Sequence, residues 1–280
     1  MTGQHNPQDL DALDADVQRH VERDWPEVVA WVKRVAVVYQ PEPGSPLFLD
    51  DRTRASRSPG WCRQQHRDVL VSQLARVSLA TGSQHLMSTV RYLAQFGPTV
   101  NTMHSMLRTA IWGAAQGVWL LAPTKRADRV ERATRVLYYS KINSLKWLDT
   151  FDEADPATDD VDQLRRAKQA TRDVLGRLGQ QRKIDQTQVV KFVSGLVFPG
   201  QPGAVIECER SWRTLGAVAH GLPWELETRV TAERASASPP GTATAVFRAR
   251  WAELGGELSY ATGFLRKGWA LLDQASKCEN

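Results

Sequence analysis

Cysteine is scarce in this chain of 280 residues: Cys62, Cys208 and Cys278 are its three, far apart in sequence. An odd, scattered set builds neither a disulfide framework nor a zinc site, so reduced thiols and a cytoplasmic location are expected. Long apolar runs are missing too. No stretch free of Asp, Glu, Lys and Arg exceeds sixteen residues, and one of these, Thr109 to Thr124, contains Gln116. That is too short and too polar to span a bilayer, so no membrane partner is expected. The opening segment MTGQHNPQDLDALDADVQRH is acidic and lacks an apolar centre, which argues against a signal peptide. A glycine-rich phosphate loop is absent, because Gly255-Gly256 falls inside a helical pattern and not after a strand. His66, His85 and His104 make no ligand spacing with carboxylates or cysteines, so the expectation is no metal and no other cofactor.

Apolar side chains, by contrast, are plentiful. A hydrophobic content of 42% with 24% charged residues fits a globular chain, and ten tryptophans supply a sizeable core. The net charge is only +5, yet its distribution is uneven. Seven acidic and two basic groups fall in residues 1–30, and seven basic groups against Asp128 and Glu131 fall between Lys125 and Lys146. Residues 149–162 carry seven acidic groups and no basic one, and Arg165 to Lys183 holds seven basic groups against Asp173. Such blocks point to docking between helices, to an anionic ligand, or to plain solvated helix faces.

The periodicity is helical almost throughout. An acidic N-terminal helix is followed by a second short one over WPEVVAWVKRVAVVY, whose proline sits near its start. Residues 41–60, rich in Pro, Gly, Ser and Arg, read as a linker loop. Helical pattern resumes from Trp61 to Phe96, with a break expected at Thr81-Gly82-Ser83. Further helices are predicted over about 99–121, 124–151 with Thr124 as N-cap, 160–182, 185–196, 204–220 and 242–275. Residues 233–243 read as a flexible turn, and Trp224 to Thr231 as either a short strand or a helix. The expected architecture is all-α: an irregular helical bundle over 61–280 with an N-terminal helical extension over 1–40. Small residues at Ala249, Ala252, Gly256, Ser259 and Gly263, and at Ala110, Gly113 and Gly117, form seams at helical spacing. Glycine within a helix costs roughly 1 kcal/mol against alanine, so close helix contacts are expected there, within one chain or across a dimer.

The stretch SWRTLGAVAHGLPWEL places Arg213 and His220 seven residues apart, two helical turns, on one face and about 10 Å apart along the axis. Gly221 and Pro223 put His220 in the last turn, where the negative end of the helix dipole favours imidazolium. An exposed histidine exchanges a proton with a ribose 2′-hydroxyl or a leaving oxygen, and an arginine offers planar donors to a phosphate. From spacing alone, a helix-capping histidine and a solvated arginine are the simpler account of the pair.

MLRTAIWGAAQGVWLLAP, RVERATRVL and SWRTLGAVAHGLPWEL, with GSPLFLDD at 44–51 and SQHLMSTVRYL at 83–93, resemble a group of helical actinobacterial proteins similar to the HEPN superfamily. That resemblance implies an HEPN-like helical bundle and a homodimer whose Arg-x(4–6)-His motifs face one another. It implies a metal-independent endoribonuclease of a toxin or antiphage-defence type, with RNA as substrate and an antitoxin or defence partner. Arg213 and His220 are the positions that match, as catalytic residues. Thr214 stands where active members frequently carry Asn, Asp or His, Trp112 where an acidic residue is frequent, and Gly216 where serine is common. These departures favour the alternative of a non-catalytic binding or sensor module for a nucleotide, nucleic acid or protein.

Arg108, in the apolar context HSMLRTAIW, needs a partner if buried, whether in the groove beside His220 or with a carboxylate. Arg129 and Arg132, within the series Arg126, Arg129, Arg132 and Arg135, are further candidates for phosphate or RNA contact, together with Lys141 and Lys146. No aromatic platform accompanies them in this reading, and a solvated face beside the acidic loop explains them as well.

Overall fold

A computed structural model describes residues 7–55, 70–99, 102–151, 161–222 and 251–278. The protein is all-α. Among the described residues the helices are α1 (Pro7–Val35), α2 (Pro46–Ala55), α3 (Val71–Phe96), α4 (Thr102–Leu121), α5 (Arg126–Leu148), α6 (Val161–Leu178), α7 (Gln186–Val197), α8 (Pro202–Ala219) and α9 (Trp251–Ala275), with no strand. The segments 224–231 and 233–243, the proposed start of the last helix at 242, and Cys62 and His66 lie outside the described residues.

Two compact units share the chain. The first draws on Met1–Tyr39, Arg76–Trp119 and Gln186–Asp273, the second on Gln40–Ala75, Leu120–Asp185 and Gln274–Asn280. In the first, α1, α3, α4, α8 and α9 enclose fully buried Leu79, Leu86, Ile111, Leu215, Phe264 and Leu265. In the second, α2, α5 and α6 bury Leu47, Ala133, Leu137, Leu148 and Val174.

Four local expectations change. The N-terminal segment is one helix, not two, and runs through Pro26. A proline inside a helix removes one hydrogen bond and costs about 3 kcal/mol. Burial of Val17, Val28 and Trp31 outweighs that cost, with Arg266 bonded to Glu27 at 3.0 Å and Arg34 paired with Asp273. The stretch read as a linker contains α2, whose Ser45 hydroxyl accepts from the Phe48 N–H at 3.3 Å while Pro46 takes the first helical position. The expected break at 81–83 is also absent, since α3 continues through it. Within the continuous helix the Ser83 hydroxyl donates back to the Leu79 carbonyl at 2.8 Å and accepts from the Trp269 indole at 3.1 Å. At α5 the N-cap is Lys125 rather than Thr124, with no side-chain bond.

Gly82 explains why α3 is unbroken. A methyl group at Gly82 would lie 2.9 Å from the Ala114 nitrogen, and one at Gly113 would lie 2.6 Å from the Ser78 carbonyl oxygen. The α3 and α4 backbones therefore cross in direct contact, and Gln116 ties the crossing by donating to the Ser78 hydroxyl at 2.8 Å. The seam expected at Gly113 is thus an intrachain contact. On α9 the expected seam holds at Gly263, which lies against Phe198, but Gly256 and Ser259 are exposed, and the other close approaches fall at Gly255 against Val17 and Gly268 against Leu79; Ala249 lies outside the described residues.

Gly113→Ala is expected to lower unfolding free energy by about 2 kcal/mol or more, because backbone atoms cannot yield as side chains do. Gly176→Ala, in a helix with nothing within 4 Å of the new methyl, is expected to raise it by about 0.5–1 kcal/mol. Urea midpoints of both variants decide this, and shifts of the same sign would contradict it.

Candidate functional site

The motif helix α8 begins with Pro202 after Gly200, whose φ of 77° turns the chain back from α7. Its end follows from Gly221, at φ 63°, which lets the Leu222 N–H bond the Ala217 carbonyl at 2.9 Å. His220 is the C-cap, and its N–H reaches the Gly216 and Ala217 carbonyls. Its imidazole is exposed. The expected place of the histidine in the last turn is therefore the observed one.

Arg213 is exposed as well, but it is engaged. Its Nε and Nη2 both donate to Glu209 Oε1, at 3.2 and 2.9 Å, one turn earlier on α8. Lys191 of α7 reaches the other oxygen of Glu209 at 2.8 Å. These two cations, Lys191 foremost, hold the Glu209 carboxyl below its usual range. The i,i+4 pair of Glu209 and Arg213 was readable in the sequence; Lys191 required the α7–α8 hairpin.

Arg108 comes from α4 to the inner side of α8. Its guanidinium lies over the Trp212 ring, 3.8 Å from the centroid, and Nη1 donates to the Trp212 carbonyl at 2.9 Å. Burial lowers its pKa, and no carboxylate pairs with it among the described residues. Gly216 is where it fits: a methyl there would lie 2.5 Å from Nη1. Trp112, one turn along α4, packs on Trp212 with ring centroids 6.2 Å apart. The two departures at Gly216 and Trp112 are thus parts of one packing arrangement around Trp212.

Arg129 is buried and held at all three of its nitrogens. Nε and Nη2 bind the two oxygens of Asp50 at 2.6 and 3.0 Å, and Nη1 donates to the Pro123 and Thr124 carbonyls at 2.9 and 2.8 Å. This is a clamp between α2 and α5 that engages four of the five guanidinium N–H groups in a buried side chain, a structural role and not an exposed phosphate site. Arg132 is half-buried, with burial lowering its pKa against the opposing pull of Glu131 and Asp128. Arg108 belongs to the first unit, Arg129 and Arg132 to the second.

Cys208 is buried, and burial pushes its thiol up to about 12, so it stays protonated and is no nucleophile at neutral pH. Among the described residues no group of three or more His, Cys, Asp and Glu is arranged to hold a metal ion. No described helix is long and apolar enough to cross a membrane. Comparison with known proteins finds no matching family model, no similar curated protein and no similar solved structure.

Gly216→Ala is expected to be neutral or destabilising in the wild type, yet stabilising by about 1 kcal/mol in an Arg108→Ala background, where helix propensity alone remains. A double-mutant cycle with no coupling would contradict the contact. Arg129→Ala is expected to cost about 3–5 kcal/mol, since it leaves the buried Asp50 carboxylate with only the looser Arg126 contact at 3.7 Å; denaturant unfolding measures it.

Proposed function

We infer that the chain is an HEPN-like, RNA-directed protein and a metal-independent endoribonuclease of a toxin or antiphage-defence type, working as a homodimer. Arg213 holds the scissile phosphate and His220 moves the proton. The observation that carries this reading is the presentation of both side chains to solvent on α8, with His220 held at its carbonyl end. There the ribose 2′-oxygen attacks phosphorus as its proton leaves to an imidazole, and the 5′-oxygen departs with a proton from an imidazolium. A cyclic 2′,3′-phosphate and a 5′-hydroxyl result. Each chain brings one such histidine, so two motifs facing each other supply acid and base together.

For Arg213 to take the phosphate it must leave Glu209. An exposed ion pair of this kind is weak, weaker than a bidentate bond to a phosphodiester in a groove. Lys191 keeps Glu209 paired after the exchange. Glu209 therefore acts as a placeholder that the substrate displaces.

A second reading, a non-catalytic binding or sensor module, is favoured by the same ion pair, which neutralises Arg213 at rest, and by Trp112 where an acidic partner is frequent in active members.

The test is purified wild type, His220→Ala and Arg213→Ala with total RNA and a defined tRNA in EDTA. Wild-type cleavage leaving cyclic phosphate ends, reduced at least about 100-fold in His220→Ala with unchanged helicity, is expected. Equal cleavage by His220→Ala would sink the assignment. RNA binding without cleavage, lost in Arg213→Ala, would favour the second reading.

A further inference from the structure

One face of α5 carries Arg135, Tyr138, Tyr139, Ile142, Asn143 and Lys146, spaced so that each returns after three or four residues. Facing it is the segment 181–184 that joins α6 to α7. Together they enclose a cavity of about 310 Å³, and every residue lining it belongs to the second unit. No carboxylate is among the lining side chains, whereas Arg135, Lys146, Arg182 and Lys183 all are.

Arg135 builds the cavity. Its Nε donates to the Arg182 carbonyl at 3.2 Å and its Nη2 to the Lys183 carbonyl at 3.1 Å, while Nη1 lies 3.6 Å from Glu131. The guanidinium thus pins the backbone of 182–183 against α5, with Ile184 buried beneath. The side chains of Arg182, Lys183 and Lys146 are exposed where they line the cavity, and none of the three has an ion pair among the described residues. Three uncompensated cations around one small cavity repel each other and attract a multiply charged anion.

The walls say what else that anion carries. Tyr139, 41% exposed, lines the cavity, and Tyr138 lines it from the next position. Asn143 contributes an amide, and Gln181, whose Nε2 is bonded to the Leu178 carbonyl at 2.6 Å, keeps its oxygen as an acceptor. Aromatic faces, amides and clustered cations in a space of this size match an aromatic base bearing a phosphate. Tyr138 and Tyr139 put aromatic side chains beside Arg135 of the arginine series, for which the sequence showed no aromatic platform.

We propose that this cavity binds a nucleoside phosphate, with the base on Tyr139 and the phosphate between Lys146, Arg182 and Lys183. The ligand is a free mononucleotide or a nucleotide of single-stranded RNA. The site stands on the second unit alone and holds whether or not α8 cleaves RNA.

Calorimetry on the full chain tests it, with adenosine 5′-monophosphate and the hexanucleotide r(A)6 as probes and adenosine and pyrophosphate as partial ligands. One-to-one binding of the monophosphate or of r(A)6 is expected, at least tenfold tighter than either partial ligand. Tighter binding of r(A)6, with a log–log salt slope of roughly −2 for three phosphate contacts, identifies RNA; equal affinity identifies the free nucleotide. Arg182→Gln with Lys183→Gln, both exposed, should weaken binding at least tenfold at unchanged circular dichroism. Tyr139→Ala should do the same and Tyr139→Phe should not. Absence of binding by both probes, pyrophosphate binding as tightly as the nucleotide, or full affinity in the double variant would overturn the proposal.

Discussion

At Gly82 and Gly113 two helix backbones occupy space that any Cβ would need: a methyl on Gly113 would meet the Ser78 carbonyl oxygen at 2.6 Å and the Gly82 nitrogen at 2.8 Å. Side chains can shift to relieve such a contact, but helical backbone cannot without moving the helix. The position of α4 on α3 is therefore fixed to within a few tenths of an ångström in the first unit. Leu107, Ile111 and Ala114 then pack at essentially zero exposure.

The position of α8 depends on that crossing. Arg108 stands five residues before Gly113 on α4, and its reach to the Trp212 carbonyl and ring sets where α8 lies and which way it faces. With Trp212 turned inward to Arg108 and Trp112, the following residue, Arg213, turns outward to solvent, Glu209 and Lys191. A half-buried cation without a carboxylate gains from having its donors and its face used. Arg108 achieves that with one carbonyl and one indole, and Gly216 is the space it requires. The outer face of α8 is thus a consequence of packing on its inner face.

Much of this was legible in the sequence, for reasons that differ by residue. Helical periodicity marks the elements, and His220-Gly221 marks the end of α8, because a glycine at positive φ is a local requirement that residue types reveal. Ser45-Pro46 marked the start of α2 just as locally, yet the surrounding Pro, Gly and Arg content obscured it. Gly82 misled in the opposite direction. A Thr-Gly-Ser triplet reads as a break until a second helix is known to need the missing side chain. The site residues divide the same way. Arg213 and His220 share a face by spacing alone, whereas Arg129 looked like a surface cation because its partner Asp50 lies 79 positions away. Arg135 and its tyrosines gained their meaning only from the 181–184 segment, which no periodicity places beside α5.

The dependence of α8 on the glycine crossing is open to direct measurement by amide hydrogen–deuterium exchange, comparing wild type with Gly113→Ala under native conditions. Faster exchange is expected at the crossing in α3 and α4 and, in the same variant, across Trp212 to Ala219 of α8, while α5 and α6 keep their protection. Protection in α8 that stays at wild-type level when the crossing loosens would contradict the claim that packing on α4 sets the face carrying Arg213 and His220.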